Sequence, residues 1–488
     1  PLVSKKELRR AEEPFPIENV DRKIYDKGSR VELVYSAAAP FRYLRLPSPP
    51  DHIHALEFYK DGKKLDVGTP KASNMLAAFK DFDRIVSTRK LTVEVPADAS
   101  PDAFITVAVD DIYGNDSLYV FVTARVDETS ADTPFDVYGN LNFVTNGVLQ
   151  TVTLRAAGQN AVTVSDWTIS ENTALTADRP YRVMDSLVVD EGATLRIPAG
   201  TTVYFHDKAK IRVKGTLLME GTQGNPVRLR ADRLDKVAGS IPFQLMSGQW
   251  DGVHYDKDSY GNEMAYVEMQ GSSSGVVVDS CGVLDKRKLH IFNSVLHNSS
   301  SSVLTAAHSW IDAEGSEFSD ASEGVVNLTG GKYAFNNCTF ANYYLFSAIT
   351  SPLLTLNYVL PKDKSYDNPL MDAEFNNCVV YGNASDISEG DLKGSAVYLR
   401  NCLLRSKGND DDNFINCVWG GDPKFYTVRK DYIFDYRLKN ESDAIGKGDM
   451  TLCPDAARFD MLGNDRFASG SLDLGAYVWI EQKEEEKQ

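Results

Sequence analysis

The second half of the chain repeats a short segment at nearly regular intervals. Its copies align on an asparagine or a glycine, and these positions are Asn293, Gly315, Asn337, Asn377 and Asn401. Successive positions lie 22, 22, 40 and 24 residues apart. A step of about 22 residues is too short for a helix pair but matches one coil of a β-solenoid. The repeat therefore predicts a stack of β-strand coils.

Apolar residues alternate on both sides of each alignment position, but with a slipped phase. Phe335 lies two residues before Asn337, and Cys338 and Phe340 alternate after it. This pattern predicts two short strands that meet at a bend, where asparagine is favoured because it tolerates left-handed backbone. With coils roughly 4.8 Å apart, the asparagines should form a ladder along one edge. Two inner stacks are predicted: Ile291, Phe335, Phe375 and Leu399, and Leu296, Phe340, Val380 and Leu404.

The solenoid pattern begins near Tyr181. From there, apolar triplets such as Leu187 to Val189 and Leu195 to Ile197 recur about every eight residues between glycines. This spacing indicates three strands per coil and ten to twelve coils up to Tyr477. An insertion near 347–367 accounts for the 40-residue step.

The remaining segments suggest an all-β chain with further domains. Short alternating strands follow residue 31, and Asp61-Gly62 is a strong hairpin signal. We expect an immunoglobulin-like β-sandwich followed by a right-handed parallel β-helix (solenoid). The small β module predicted before the solenoid would cap its first coil, or would be a second sandwich. The predicted divisions are a tether at 1–30, the sandwich at 31–130, the cap at 136–180, the solenoid at 181–478 and a charged tail at 479–488.

Composition excludes some classes of partner. The 488 residues carry a formal charge of -17, which argues against nucleic acid because phosphates need a basic face. No run of 18 apolar residues could span a membrane. No signal peptide precedes Pro1, as in a mature exported chain or a cytosolic one.

Three of the 6 cysteines, Cys338, Cys378 and Cys402, hold the same inward position in their rungs. Parallel Cβ vectors in adjacent coils give poor disulfide geometry, and cysteine is readily buried as a small apolar residue. A stack of free thiols is the preferred interpretation, and a disulfide framework is the alternative. Cysteine usage leaves the redox compartment undecided.

Acidic clusters are the first candidates for chemistry. Asp410, Asp411 and Asp412 are consecutive, so their side chains point in different directions and favour a solvated loop over a calcium or catalytic site. Asp110 and Asp111 could ligate calcium near Gly114, although an acidic hairpin turn is the simpler interpretation.

Histidines, serines and tryptophans are the other candidates. His254, His290 and His297 lack metal-ligand spacing and are interpreted as isolated surface or bend residues. The serine runs 272–274 and 299–302 are placed in turns, without a nucleophile elbow. Aromatic residues on rungs usually fill the core or its seam, but exposed ones could stack on sugars. The tryptophans concerned are Trp250, Trp310 and Trp419.

Several segments resemble right-handed parallel β-helix surface lipoproteins of Bacteroidota. They are DSLVVDEGATLRIPAGTTVYF and GTLLMEGTQGNPVRLRA between Asp185 and about Arg230, GQWDGV at Gly248, the Asn-Asn-Cys rungs, and the ending YRLKNESDAIGKGD…DMLGNDRFASGSLDLGAYV. The resemblance covers residues 136–478. It implies an N-terminal lipid anchor and a position on the extracellular face of the outer membrane. Two Asp-Ser-Leu triplets match the O-glycan acceptor pattern of that phylum and make Ser117 and Ser186 candidate O-glycosylation sites.

The function implied by this resemblance is a non-catalytic, rigid binding or scaffolding subunit of an outer-membrane protein complex. Its partners would be integral outer-membrane proteins or other surface lipoproteins, and also glycan. No catalytic residue, cofactor or metal is assigned. The alternatives are a β-helix polysaccharide lyase or glycosidase, which needs acidic side chains converging in one groove, and a glycan-binding surface protein.

Overall fold

The structure is a computed structural model with side chains. It describes residues 135–145, 148–237, 241–357, 371–388, 392–393 and 395–482, together with the backbone of eight strands nearer the N-terminus. The chain divides into two compact units, Pro1–Gln159 and Asn160–Gln488.

The described strands of the first unit form three groups of paired strands. A five-stranded antiparallel sheet consists, in spatial order, of Val20–Ile24, Arg30–Tyr35, Arg84–Arg89, Ile53–Lys60 and Lys63–Lys64. Leu91–Val95 pairs in parallel with Val120–Ala124. Phe135–Thr145 pairs with Val148–Gly158 and with Phe104–Val107. Most of the tether at 1–30 and of the sandwich at 31–130 lies outside the described residues, and both stay predictions.

The second unit is a right-handed parallel β-solenoid of about nine turns. Each coil passes through sheets B, C and A in that order, which confirms three strands per coil. Sheet A comprises Val162–Val164, Tyr181–Val183, Thr202–Phe205, Val227–Ala231, Val267–Gln270, Val295–Ser299, Glu317–Ala321, Thr339–Asn342, Val379–Gly382, Leu403–Leu404 and Val418–Trp419. Sheet B comprises Trp167–Ile169, Ser186–Val189, Lys210–Val213, Trp250–Tyr255, Ser272–Val278, Leu304–Ala307, Val326–Thr329 and Leu354–Asn357. Sheet C comprises Thr173–Ala174, Thr194–Pro198, Thr216–Glu220, Asn262–Ala265, Leu289–Phe292, Trp310–Glu314, Gly331–Asn336, Met371–Asn376, Ala396–Arg400 and Phe414–Ile415.

The alternation of apolar residues decides which side chains point inward. In Thr194–Pro198, for example, Leu195 and Ile197 are fully buried and Arg196 is exposed. Because the sheets are parallel and in register, like residues stack on like. Both predicted inner stacks are confirmed, with Ala313 and Phe318 filling the Gly315 rung.

Phenylalanine rings fill the middle of the core. The rings of Phe335 and Phe375 stack with centroids 5.0 Å apart, and those of Phe318 and Phe340 stack at 5.3 Å. Phe335 also meets Phe340 edge to face at 5.4 Å. Each coil therefore contacts the next through a continuous apolar column, which makes the stack stiff.

The solenoid begins earlier and ends earlier than the sequence suggested. Val162–Val164 already pairs with Tyr181–Val183, so the first coil lies inside the segment predicted as a cap. After Trp419 the chain leaves the coil path, which is one reason for the smaller number of turns. The long interval between Ala231 and Trp250 is another; in it Lys236–Val237 pairs with Ile241–Pro242, and Phe243–Leu245 forms a 3₁₀ turn.

Residues 420–482, here called the C-terminal segment, fold back over the outer face of sheet A. The segment contains the antiparallel pair Phe425–Thr427 and Asp435–Leu438 and the 3₁₀ turns Lys430–Tyr432, Met450–Leu452 and Asp455–Arg458. Its apolar side chains form a second core with Ala341, Val379 and Leu403, which point outward from sheet A. The segment thereby covers an apolar stripe that a bare coil would expose to water.

Candidate functional site

The asparagine corner is the bend where each coil passes from sheet C to sheet A. The residues that occupy it in successive coils have φ between 44° and 59°: Tyr266, Asn293, Gly315, Asn337, Asn377 and Asn401. Asn416 (φ 54°) adds a further corner that the spacing did not reveal, because the last coil is only 15 residues long. Asparagine and glycine adopt this left-handed backbone more readily than other residues.

Three of the corner amides bind the C-terminal segment. Asn377 donates from Nδ2 to the Asp449 carbonyl (3.0 Å) and accepts from the Asp449 N–H (2.8 Å). Asn293 and Asn401 donate to the carbonyls of Phe459 and Lys447. The corner is therefore a docking edge for the chain's own C-terminal segment.

The amide-to-amide bond between coils lies one residue before the corner. There, Nδ2 of Asn376 donates to Oδ1 of Asn336 at 3.0 Å. The first asparagine of each Asn-Asn-Cys rung thus links neighbouring coils, and the second turns the chain.

The six cysteines are free thiols. Cys338, Cys378 and Cys402 are fully buried, and their Sγ atoms donate to the carbonyls of Ala313, Phe335 and Phe375 in the preceding coils. Burial, reinforced by neighbouring thiols, raises the pKa of Cys378 well above its ordinary value. A buried, protonated thiol is a poor nucleophile and metal ligand, so this column is structural.

His290 is paired, which the sequence interpretation missed. On the outer face of sheet C its Nε2 lies 2.5 Å from Oε2 of Glu314, and its Nδ1 lies 4.0 Å from Oε1 of Glu263. Asp312, on the strand of Glu314, accepts from Arg287 (3.1 Å) and from Trp310 Nε1 (2.8 Å). Carboxylates of neighbouring coils do approach here, but Asp312 and Glu314 are each already engaged by a basic or indole group.

His297 is also paired and lies beneath the C-terminal segment. Its Nδ1 is 3.2 Å from Oδ2 of Asp320 and 2.9 Å from the Ser319 hydroxyl. The hydroxyls of Tyr436 and Tyr477 donate to Asp320 and Glu317, at 2.5 Å each. Two tyrosines of the C-terminal segment are thus bonded to two carboxylates of sheet A in a buried polar cluster.

Burial and hydrogen bonding shift the pKa values of His297 and Glu317 in this cluster. Burial alone would lower the pKa of His297, but the hydrogen bond and charge of Asp320 outweigh it and raise that pKa above its ordinary value. Burial raises the pKa of Glu317 despite its hydrogen bonds. A cavity of about 290 Å³ adjoins the cluster, lined in part by Glu268, His297 and Glu317.

The acidic loop at 410–412 accepts hydrogen bonds from the last coil. Asp410 accepts from the backbone N–H groups of Asn416 and Cys417 and from Trp419 Nε1 (2.9 Å). Asp411 accepts from the N–H groups of Asn413 and Phe414. These carboxylates cap backbone donors at the end of the stack. Within the part of the chain that the structure describes, no group of three or more histidine, cysteine or acidic side chains could hold a metal ion.

The three tryptophans occupy different environments. Trp250 is fully buried and stacks on Phe205 at 4.1 Å. Trp310 lies on the outer face of sheet C, with Nζ of Lys332 4.0 Å above its ring. Trp419 closes the end of the core. Only Trp250 is wholly in the core, and no coplanar exposed pair forms among these three.

The predicted modification and calcium positions are only partly described. Ser186 starts a strand of sheet B and donates to Oδ1 of Asp166 at 3.2 Å. Ser117, Asp110 and Asp111 lie outside the described residues. Ser272 to Ser274 begin a strand rather than a turn, whereas 300–302 form the following turn region.

A larger cavity lies at the corner between sheets A and B, near the end of sheet B. Its volume is about 620 Å³, and turns from three successive coils line it, at 349–352, 383–386 and 405–406. Asp386 is 3 % exposed, and its Oδ2 accepts from the Ser406 N–H at 2.7 Å. Its Oδ1 has no hydrogen-bond partner. Asp386 lies in no repeat or motif, so only the sequence position of the turns hinted at this site.

Comparison with known proteins adds no further assignment: no protein-family model, curated protein or solved structure matches the chain. Among the described residues, no helix is long and apolar enough to cross a bilayer.

Proposed function

We propose that the chain is a non-catalytic, rigid subunit of a cell-surface complex, which holds partner proteins against the outer face of sheet C. In this proposal an N-terminal lipid and tether attach the protein to the outer membrane, facing outward, and an immunoglobulin-like domain separates the anchor from the solenoid. The partners are integral outer-membrane proteins or other surface lipoproteins. The resemblance to Bacteroidota β-helix lipoproteins supports the location, and the geometry of sheet C supports the binding role.

The observation that carries the proposal is the ordered, mostly polar row of outward side chains on sheet C. Parallel pairing places the outward residues one above another from coil to coil: Arg196, Leu218, Glu263, His290, Asp312, Ala334, Glu374 and Tyr398. Glu263, Glu374 and Arg196 keep 43 %, 43 % and 52 % of their side-chain surface exposed. This row presents one arginine, three carboxylates and a histidine in a fixed order, with uncharged residues between some of them.

Neighbouring charges hold one another in place. Arg400 reaches Glu374 at 3.1 Å, and Arg287 reaches Asp312 at 3.1 Å. Exposed pairs of this kind add little stability, typically less than about 1 kcal/mol. Their preorganised positions on a stiff sheet instead favour specific recognition of a complementary surface.

Affinity purification from cells tests the proposal. The tagged chain, solubilised in mild detergent, should recover integral outer-membrane proteins. The charge reversals Arg287→Glu and Arg400→Glu should reduce that recovery strongly. Lys210→Glu reverses a charge on sheet B that is 46 % exposed, against 44 % for Arg287, so it is the matched control and should leave recovery unchanged. Recovery of the isolated chain alone, or equal recovery by all variants, would contradict the proposal.

A further inference from the structure

The cavity beside the buried polar cluster lies between sheet A and the C-terminal segment. Its floor is the outer face of sheet A, where Glu268, His297 and Glu317 line it. Its walls are mostly aromatic or apolar and include Leu245, Tyr432, Phe434 and Tyr477. The volume of about 290 Å³ accommodates roughly ten non-hydrogen atoms, at the ~30 Å³ that one water molecule takes in the liquid. The cavity is therefore large enough for a small organic molecule.

His297 presents an unpaired nitrogen to this cavity. Its side chain is 10 % exposed, and its Nδ1 lies 3.2 Å from Asp320 Oδ2 and 2.9 Å from the Ser319 hydroxyl. Nε2, on the other side of the ring, has no hydrogen-bond partner within the described part of the chain and is not sealed from solvent, so it faces the cavity. Burial opposes the charged imidazolium, but Asp320 outweighs burial and raises the pKa of His297. Protonated Nε2 is thus a donor that lacks an acceptor.

The two carboxyl groups that line the cavity are already engaged. Each oxygen of Glu317 accepts from a hydroxyl group, at 2.5 and 2.6 Å, and burial raises the pKa of this side chain. One oxygen of Glu268 accepts from Arg228 Nε at 2.9 Å and lies 3.9 Å from Nη2 of Arg230. Two arginines therefore share one carboxylate, which leaves positive charge beside the cavity and favours an anionic ligand.

The aromatic wall is built on strained backbone. Asp431 and Tyr432 are consecutive residues with φ of 54° and 61°, in the left-handed region that side chains other than glycine rarely adopt. Such conformations cost free energy and occur preferentially at ligand clamps and other functional sites. The same turn leads to Phe434, whose ring centroid lies 5.1 Å from that of His297. The strained turn thus holds aromatic side chains beside the unpaired imidazole nitrogen.

We propose that this cavity binds a small carboxylate that has an apolar body. The ligand carboxylate accepts the hydrogen of His297 Nε2, and its aromatic or aliphatic body packs against Tyr432, Phe434 and Leu245. A hydrogen bond between two charged groups is stronger than one between neutral groups, so the carboxylate is preferred over the matching amide. Because the cavity lies on sheet A, this site is independent of partner docking on sheet C, and either can fail without the other.

Calorimetry and NMR on the purified full chain test this inference. The probes are benzoate, phenylacetate and hexanoate, each compared with its amide, and phenethylamine serves as the cationic comparison. At least one carboxylate should bind and should shift the imidazole resonance of His297. Its amide and phenethylamine should bind at least about tenfold more weakly. His297→Gln should weaken the carboxylate at least about tenfold, whereas His254→Gln, on sheet B, should not.

Replacement of Tyr432 tests the aromatic wall separately. Tyr432→Ala should weaken the carboxylate at least about fivefold, and Ile433→Ala should not, because Ile433 is 58 % exposed and lies outside the cavity lining. Three outcomes would overturn the inference: no binding by any carboxylate, equal binding of the amide or the amine, or binding that His297→Gln and Tyr432→Ala leave intact. Tyr432 lies in a surface turn, so its variant should fold even if His297→Gln loosens the cluster, and thermal unfolding of each variant checks this.

Discussion

Gly315 contacts Arg466 at the asparagine corner, and because Gly315 has no side chain, the Arg466 guanidinium fits beside it. A Cβ on Gly315 would lie 3.3 Å from Nη2 of Arg466 and 2.2 Å from Oδ1 of Asn293. Arg466 is buried and donates to the carbonyls of Ala457, Gly475 and Ala476. Among the corners from Asn293 to Asn416, the one without asparagine is therefore the corner where the C-terminal segment inserts its arginine.

Replacing Gly315 with asparagine should loosen the C-terminal segment. Asparagine suits the backbone conformation, as the neighbouring corners show, so the effect reports steric conflict alone. We expect a loss of about 1–3 kcal/mol, as for other overpacked sites. Hydrogen exchange of residues 444–477 should accelerate in Gly315→Asn and much less in Asn416→Gly, which changes another corner residue. Unchanged exchange in Gly315→Asn would contradict this account of the corner.

Removing one ring from the core should weaken the stack locally. Phe335 contacts Phe318, Phe340 and Phe375 and is fully buried. Phe335→Ala should cost about 3–5 kcal/mol. Lys332→Ala, on the outward face of the same strand, should change stability by less than about 0.5 kcal/mol. Because coils interact with their neighbours, hydrogen exchange should show the loss centred on the adjacent coils; equal effects of both variants would contradict the predicted packing.

The thiols should resist modification while the chain is folded. Five of the six are buried, and Cys417 is half-buried. A thiol reagent should therefore modify Cys417 slowly under native conditions and all six cysteines after denaturation without reductant. Cys417→Ser should abolish the native reaction. Fewer than six reactive thiols in the denatured, unreduced chain would indicate a disulfide and contradict the free-thiol column.

Docking of the C-terminal segment should weaken as pH rises. The folded-state pKa of His297 is raised, so the folded chain holds that proton more tightly than the unfolded one. The stability gained is fully present below about pH 6.5 and is lost as pH rises through the folded pKa. The raised pKa of Glu317 acts in the same direction, starting from about pH 4.3.

Proteolysis of the C-terminal segment measures this dependence. Cleavage within 425–440 should become severalfold faster between pH 6 and pH 9 in the wild-type chain. His297→Gln should flatten the rise, since glutamine does not titrate. A wild-type profile that is flat, or that falls with pH, would show that these groups do not govern docking.

The coil interior was predictable because the step of about 22 residues determines which residues stack on one another. Ile291, Phe335, Phe375 and Leu399 follow from it directly. The same step also relates His297 to Ser319 and His290 to Asp312, which lies two residues before its partner Glu314, so these neighbourhoods could have been found by applying the register to outward residues. The number of coils could not be predicted, because long intervals between strands, such as the one between Ala231 and Trp250, follow no regular spacing.

The C-terminal segment and the cavity depend on contacts that no local pattern encodes. Arg466 and Tyr477 bind rungs more than 100 residues earlier in the chain. The cavity beside Asp386 is lined by turns of three coils, which come together only in the folded chain. Sequence periodicity predicts the stack, whereas docking onto its outer faces depends on three-dimensional complementarity.

Photo-cross-linking on intact cells tests the partner-binding claim most directly. A benzophenone amino acid replaces Tyr398 on the outer face of sheet C or, as the control, Thr305 on the outer face of sheet B. The account predicts adducts with integral outer-membrane proteins or surface lipoproteins from position 398 and few or none from position 305. Absence of adducts from position 398, or equal adducts from both faces, would contradict it.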